Sequence, residues 1–320
     1  MVKKNEKKIK FQKTLTGIEG LDEITDGGLP KSRTTLIVGG AGCGKTIMGM
    51  EFLVRGAREL KEPGVFMAFE ENSDELTMNI TSLNYNLDTL IAKKQIYLEH
   101  VDIGNKEVIE TGDFNLEGLF VRLEHAIDIV GAKRVVLDSL DALFYSIKYE
   151  VLRRELKRLF NWLNTKGVTT IITAEAGEYL LTRHGLEEYV ADCVMVLDKR
   201  VISQISTRRL QIIKYRGSAH GNNEYPFTIT EKGITVFPII ADIKEAKISS
   251  ERISSGIPAL DEMLGGKGFF QGSSILVSGS AGTGKSSLAL SIVNESCKKK
   301  MRCLYCAFEE NPEQIIRNME

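Results

Sequence analysis

Short apolar runs alternate with longer stretches of helical periodicity along the first three quarters of the chain. Thr34-Thr-Leu-Ile-Val38 is an apolar run that ends in glycines, and residues 46–60 after it carry helical character. Strand, loop and helix therefore follow in that order. Residues 65–69 and 134–137 read as further buried strands. Leu152, Leu156, Leu159 and Leu163 stripe one face of a helix that ends near Gly167, and residues 168–174 then make another strand. Strands alternating with helices of this length predict an α/β fold: a mainly parallel sheet covered on both faces, giving three layers. Residues 190–197, 210–215 and 227–237 read as antiparallel additions at one edge, the last turning at Glu231-Lys-Gly233.

The pattern then starts again. Thr16-Gly-Ile-Glu-Gly-Leu-Asp-Glu23 returns as Ser255-Gly-Ile-Pro-Ala-Leu-Asp-Glu262, and Ala68-Phe-Glu-Glu-Asn72 returns as Ala307-Phe-Glu-Glu-Asn311. An offset of about 240 residues marks duplicated domains rather than a solenoid. The expected organisation is a basic tail at 1–13, a complete domain at 14–239, a polar linker at 240–254 and the front part of a second copy at 255–320. That copy is expected to hold its opening strand, loop, helix and second strand. Some 70 residues cannot close a three-layer core, so the chain reads as the front of a longer two-domain protein.

Composition narrows the class. Hydrophobic residues at 42 % and charged residues at 27 % fit a soluble globular protein. No apolar run reaches the roughly 18 residues of a membrane span, and the lysine-rich start lacks the apolar core of a secretory signal. A cytoplasmic location is expected. A net charge of −1 gives no global reason to bind nucleic acid. Five cysteines without an export signal point to reduced thiols. Cys303 and Cys306 form a C-x-x-C inside Arg302-Cys-Leu-Tyr-Cys-Ala-Phe308; no second cysteine pair completes a zinc set, and the segment reads as a buried strand. The four histidines, His100, His125, His184 and His220, show no metal-ligand spacing.

Chemistry concentrates in Gly39-Gly40-Ala41-Gly42-Cys43-Gly44-Lys45-Thr46, a phosphate-binding P-loop placed between strand and helix as that motif requires. Its glycines let backbone amides wrap a phosphate, and the helix N-terminus favours negative charge. Lys45 is expected to reach the β and γ phosphates of ATP, and Thr46 to offer its hydroxyl to Mg²⁺. Cys43 reads as loop filling rather than a redox gate. Lys133-Arg-Val-Val-Leu-Asp138-Ser139 supplies the second metal-orienting group, an Asp released at the end of an apolar strand. Glu70 and Glu71 end the strand before them, where a carboxylate can polarise an attacking water; the alternative is a solvated acidic loop. Lys214 and Arg216 are two residues apart on a strand end, so both can point toward a transferring phosphoryl group, or into solvent. The second copy repeats the loop with Gly282, Thr283, Gly284, Lys285 and Ser286, and the glutamates as Glu309 and Glu310.

Together, Thr16-Gly-Ile-x-Gly-Leu-Asp22, the P-loop, Phe69-Glu-Glu71, Val135-Val-Leu-Asp-Ser139, Lys214-Tyr-Arg-Gly217 through His220, and Glu224-Tyr-Pro-Phe-Thr-Ile-Thr230 resemble the KaiC family, the RecA-like ATPases of the circadian clock and their relatives. The resemblance runs from about Thr16 to the last residue. It implies two RecA-like domains in tandem, each forming a six-membered ring with ATP between neighbouring subunits. Lys214 and Arg216 would then act on the neighbour's nucleotide, with Tyr215, Ser218, His220, Thr230 and Glu231 on the same side. Ile47 would lie beside the P-loop, and Ser82 and Leu83 near the base or ribose. In that family the first domain is a slow ATPase that drives ring assembly and the second phosphorylates its own Ser and Thr residues, here beyond Glu320. Clock-type regulatory proteins would be partners. The second copy departs from the pattern, with no Asp138 counterpart and no Lys-x-Arg pair, which puts nucleotide and Mg²⁺ binding at Ser286 in doubt.

Two other readings share the P-loop. A DNA-acting recombinase-like or helicase-like motor would need mobile basic loops, the best candidate being residues 199–209 with Lys199, Arg200, Arg208 and Arg209. A nucleotide-gated scaffold would bind ATP and assemble with little hydrolysis.

Overall fold

The computed structural model describes residues 11–80, 83, 85–101, 116–144, 149–177, 181–182, 185, 190–238 and 249–319. The expected linker at 240–254 lies largely outside the described residues. The chain divides into two compact units, residues 1–240 and 241–320.

In the first unit, β1 (Lys13–Thr14) pairs with β2 (Leu29–Pro30) around a short helix α1 (Leu21–Ile24). The body is β3 (Thr34–Gly39), α2 (Lys45–Glu59), β4 (Gly64–Ala68), α3 (Ser73–Ile80), α4 (Leu87–Ala92), β5 (Ile96–His100), α5 (Glu117–Val130), β6 (Arg134–Asp138), α6 (Tyr149–Thr165), β7 (Thr169–Glu175), β8 (Cys193–Ile202), β9 (Ile205–Tyr215), β10 (Glu224–Thr230) and β11 (Gly233–Val236). Nine strands form one sheet in the order β11-β10-β9-β8-β3-β7-β6-β4-β5. The strands from β8 to β5 are parallel, and β9, β10 and β11 continue antiparallel. β8 had been expected among the antiparallel additions. It runs parallel to β3, pairing Thr35 with Cys193 and Gly39 with Leu197. Cys193, Val194, Met195 and Leu197 are all buried, which suits a strand inside the sheet, not at its edge.

The strands' period of two divides the core. Ile37, Phe66, Val136 and Ile171 face Met48 and Phe52 of α2 and Leu87 and Leu90 of α4. Leu36, Val65, Val135, Leu137 and Ile172 face Leu123 of α5 and Leu152, Leu156, Leu159 and Leu163 of α6. The leucine stripe thus forms the predicted helix face. With helices on both faces, the C-terminal ends of β3, β4, β6 and β7 emerge together at one edge, where ligands bind in sheets of this kind.

Arg134, at the start of β6, is fully buried. Its guanidinium lies 4.3 Å from the centre of the Phe52 ring. It donates to the Phe52 carbonyl (2.8 Å), the Leu15 carbonyl (2.7 Å) and Glu62 (2.7 Å from Nε). Gly56 of α2 makes room for it: a Cβ there would meet Arg134 Nε at 2.4 Å. This clamp seats β6 against α2, and β6 carries Asp138 at its other end.

In the second unit, Arg252–Ile253 pairs with Phe269–Phe270. The opening turn repeats that of the first: Thr16 N donates to Asp22 Oδ1 at 2.8 Å, and Ser255 N to Asp261 Oδ1 at 2.8 Å. Helices follow at Pro258–Met263, Lys285–Lys298 and Pro312–Met319. The two expected strands do not form, and residues 274–278 and 302–308 take no regular secondary structure and are exposed. Cys303 and Cys306 are exposed rather than strand-buried. Strand order explains the difference. In the first unit β3 and β4 never touch, because β7 and β6 lie between them. The sequence as given holds no second-copy counterpart of those two strands, and among the described residues neither segment pairs its backbone with another strand.

Replacing Arg134 with Ala would leave Glu62 and two carbonyls without their donor, so we expect a loss of roughly 3–5 kcal/mol in urea unfolding of the first unit. An Arg134→Ala variant as stable as the parent would show that the clamp does not hold β6.

Candidate functional site

The P-loop runs from the end of β3 to the start of α2. Gly42 (φ 70°) and Gly44 (φ 109°) take left-handed conformations that a side chain would strain. A Cβ on Gly40 or Gly42 would meet nothing within 4 Å, so the loop presents an open backbone concavity. Gly44 caps α2 directly before Lys45, which places the helix N-terminus at the loop. Cys43 is buried, its Sγ 2.6 Å from where a Gly39 Cβ would stand, and burial pushes its thiol up, opposed by Lys45. That packing fits the loop-filling role.

Parallel register sets the remaining groups. Ala68 pairs with Asp138 and Gly39 with Glu175, so Glu70, Glu71, Asp138 and Glu175 reach the edge beside the P-loop. Thr46 Oγ1 donates to Asp138 Oδ2 at 2.9 Å. Thr173 Oγ1 donates to Asp138 Oδ1 at 2.7 Å and itself accepts from Ser139 N at 2.7 Å. Asp138 is 4 % exposed. Burial raises its carboxyl above the usual carboxylate range, against the hydrogen bonds from Thr173 and Thr46; Glu71 raises it further and Lys45 lowers it. Lys45 Nζ donates to Gly39 O (2.7 Å), Gly40 O (3.2 Å) and Glu175 Oε1 (2.7 Å).

A cavity of about 360 Å³ opens over these groups, lined by Ala41, Gly42, Gly44, Lys45, Thr46, Ile47, Glu70, Glu71, Asp138, Ser139, Glu175, Arg208 and Ile229. The structure therefore brings the P-loop, the strand-end Asp and both candidate glutamates to one cleft. Hard oxygen donors from Thr46 and Asp138 beside an amide-lined loop suit a triphosphate with Mg²⁺.

The remaining candidates fall elsewhere. Lys214 and Arg216 lie at the end of β9, outside that cavity; Arg216 approaches Asp192 at 3.8 Å. The Tyr215 phenol is buried and donates to the Gly28 carbonyl at 2.7 Å, so that side chain serves the core. Ser218 donates to Ala219 O (2.9 Å), and His220 lines a separate hollow with Glu23, Asp26 and Tyr225. Thr230 and Glu231 flank the β10–β11 turn, where Lys232 N donates to Thr230 Oγ1 at 3.2 Å. Leu83 is buried in the core, and Ser82 lies outside the described residues, as does His184. In the second unit Gly282 (φ 78°) and Gly284 (φ 84°) reproduce the loop. Thr283 donates to Ser280 O at 2.8 Å, and Lys285 donates to Gly279 O and Ser280 O at 2.8 Å each. Among the described residues no carboxylate meets Ser286 as Asp138 meets Thr46.

Residues 199–209, the basic loop that a DNA motor would need, form a regular β8–β9 hairpin. Arg200 pairs with Asp198 and Glu224, and Arg209 with Glu224 (2.7 Å), so two of its four cations are neutralised locally. Sequence reasoning missed Glu175, Thr173 and the cleft position of Arg208. Glu175 carries the same signal that picked out Asp138, a carboxylate closing an apolar strand. Among the described residues no group of three or more His, Cys, Asp or Glu could hold a metal by itself, and no helix is long and apolar enough to cross a membrane.

A phosphate loop, a strand-end Asp on its Thr, and a mostly parallel sheet covered on both faces define a RecA-like P-loop nucleotide-binding protein. The family model for KaiC ATPase matches residues 14–240 and 253–320, and the chain belongs to that family. Among relatives it is similar to the circadian clock protein KaiC2 of Synechocystis sp., 52 % identical over 98 % of this chain and 56 % of the relative. It is 41 % identical to the circadian clock oscillator protein KaiC of Parathermosynechococcus lividus (96 % of this chain, 57 % of the relative) and 40 % identical to that of Synechococcus elongatus (96 % and 59 %). The chain thus spans less than two thirds of these relatives' length.

An acid whose folded pKa is raised costs stability as pH climbs past its unfolded value, and costs nothing below it. Asp138→Asn should therefore raise the melting temperature of the protein without added nucleotide by a few degrees near neutral pH, with the gain vanishing on acidification. A melting temperature unchanged at every pH would show that burial of this carboxylate carries no cost.

Proposed function

We propose that this chain binds ATP with Mg²⁺ in the first-unit cleft and hydrolyses it slowly. The carrying observation is the 2.9 Å hydrogen bond between Thr46 and Asp138, with Lys45 beside it and Glu70 and Glu71 in the same cavity. Thr46 and Asp138 would hold the metal, which would neutralise charge on the bound polyphosphate. The P-loop amides and Lys45 bind and orient the triphosphate. Glu70 or Glu71 takes a proton from the attacking water.

Lys214 and Arg216 lie outside their own chain's cleft, which supports a homo-oligomeric ring, a hexamer by family resemblance, in which they reach the neighbour's nucleotide. Ser218, His220, Thr230 and Glu231 would sit at that junction, with the Tyr215 side chain turned into the core behind them. We place the complete domain at 14–239 and the front of a second at 255–320, whose loop at Lys285 and Ser286 is the weaker site. The relatives are named as circadian clock proteins, so a clock-type or signalling role in the cytoplasm, with regulatory protein partners, is the corresponding proposal for this chain. Self-phosphorylation belongs to a longer two-domain form.

Glu70→Gln with Glu71→Gln should leave ATP binding intact and lower phosphate release by ~10²-fold or more; unchanged turnover would remove the base assignment. Mixed rings of Arg216→Ala and Lys45→Ala subunits should recover part of the activity, since each supplies what the other lacks. No recovery in verified mixed rings would place Arg216 outside the neighbour's site.

A further inference from the structure

A lysine ammonium has three donors and no acceptor. Lys45 has all three engaged, on the Gly39 and Gly40 carbonyls and on Glu175. Lys285 of the second P-loop makes the same two carbonyl bonds, to Gly279 and Ser280.

Glu175 is held in place for this contact. Its backbone pairs in register with Gly39, the residue that opens the loop, and its amide donates to Asp141 Oδ2 at 3.4 Å. The Lys45 side chain is only 8 % exposed, whereas that of Glu175 is 25 % exposed and lines the same cleft. Lys45 is thus the more enclosed partner, and the carboxylate is the one with open space beside it. A phosphate oxygen arriving at Lys45 needs a proton that Glu175 already occupies, and two anions converging on one ammonium repel each other.

We propose that Glu175 is a positioning residue that competes with the incoming polyphosphate for Lys45 and thereby weakens nucleotide affinity at the first P-loop. It holds the ammonium aimed into the cleft and yields it when the stronger, multiply charged acceptor arrives. The carboxylate it releases stays in the cleft with Glu70 and Glu71. No covalent step is involved. The inference rests on the nucleotide reading above.

The test is the dissociation constant of a fluorescent ATP analogue with MgCl₂, measured on the full chain for the parent, Glu175→Gln, Lys45→Ala and the double variant. Glu175→Gln keeps the size of the side chain and removes its charge, and should tighten binding by about tenfold. In the Lys45→Ala background the same change should give no tightening, because the competition runs through that lysine. Glu175→Ser, with a melting curve for each variant, guards against a local packing effect of Gln and should tighten binding likewise. A residue with a purely structural role would give weaker binding together with a lower melting temperature. Parent protein that binds while neither Glu175 variant binds more tightly overturns the proposal and leaves the nucleotide reading standing, as does tightening that persists without Lys45. Binding by none of the four overturns both.

Discussion

A threonine hydroxyl and a buried carboxylate 2.9 Å apart, Thr46 and Asp138, are the point on which the first unit depends. They come from different elements, the first turn of α2 and the last residue of β6. Their meeting requires α2 to lie on the sheet at one angle and β6 to occupy one register. The buried Arg134 guanidinium, stacked on Phe52 and bonded to two carbonyls and Glu62, fixes that angle from the far end of the strand. The apolar layers on either face do the rest without specificity of their own.

The cleft holds more negative charge than an unliganded protein would choose. Asp138, Glu70, Glu71 and Glu175 converge there, and among the lining residues Lys45 and Arg208 supply the positive charge. Gathering like charges in this way costs stability, as functional clefts commonly do. Asp138 shows the trade most clearly: burial disfavours its ionised form, and Thr46 and Thr173 only partly compensate. Lys45 shows the complementary side, a cation whose donors are all engaged within the protein.

Much of this was legible in residue order. Periodicity placed β3, β4, β6 and β7 to within a residue or so, and the glycine spacing located the loop. Strand direction was less accessible: nothing in residues 190–197 says that the chain crosses back before them, so β8 read as antiparallel when it lies inside the parallel sheet. β5 and α5 were passed over, although α5 buries Leu119, Phe120, Leu123, Ala126 and Ile127 at helical spacing; β5 is short and only partly buried, as befits an edge strand. Glu175 closes an apolar strand as Asp138 does, but its place beside the P-loop follows from the register pairing with Gly39 and not from that local pattern. In the second unit, local apolar pattern did predict strands, and they failed for a non-local reason. A parallel strand needs neighbours, and those neighbours come from elsewhere in the chain.

The account turns on whether one magnesium-bound triphosphate sits where Lys45, Thr46 and Asp138 meet. A crystal structure of the chain with Mg²⁺ and a non-hydrolysable ATP analogue measures this directly. It should show the metal beside the Thr46 hydroxyl and Asp138, with the β and γ phosphates over the loop and within reach of Lys45. Nucleotide bound away from this cleft, or Asp138 turned from Thr46 with the ligand in place, would contradict it.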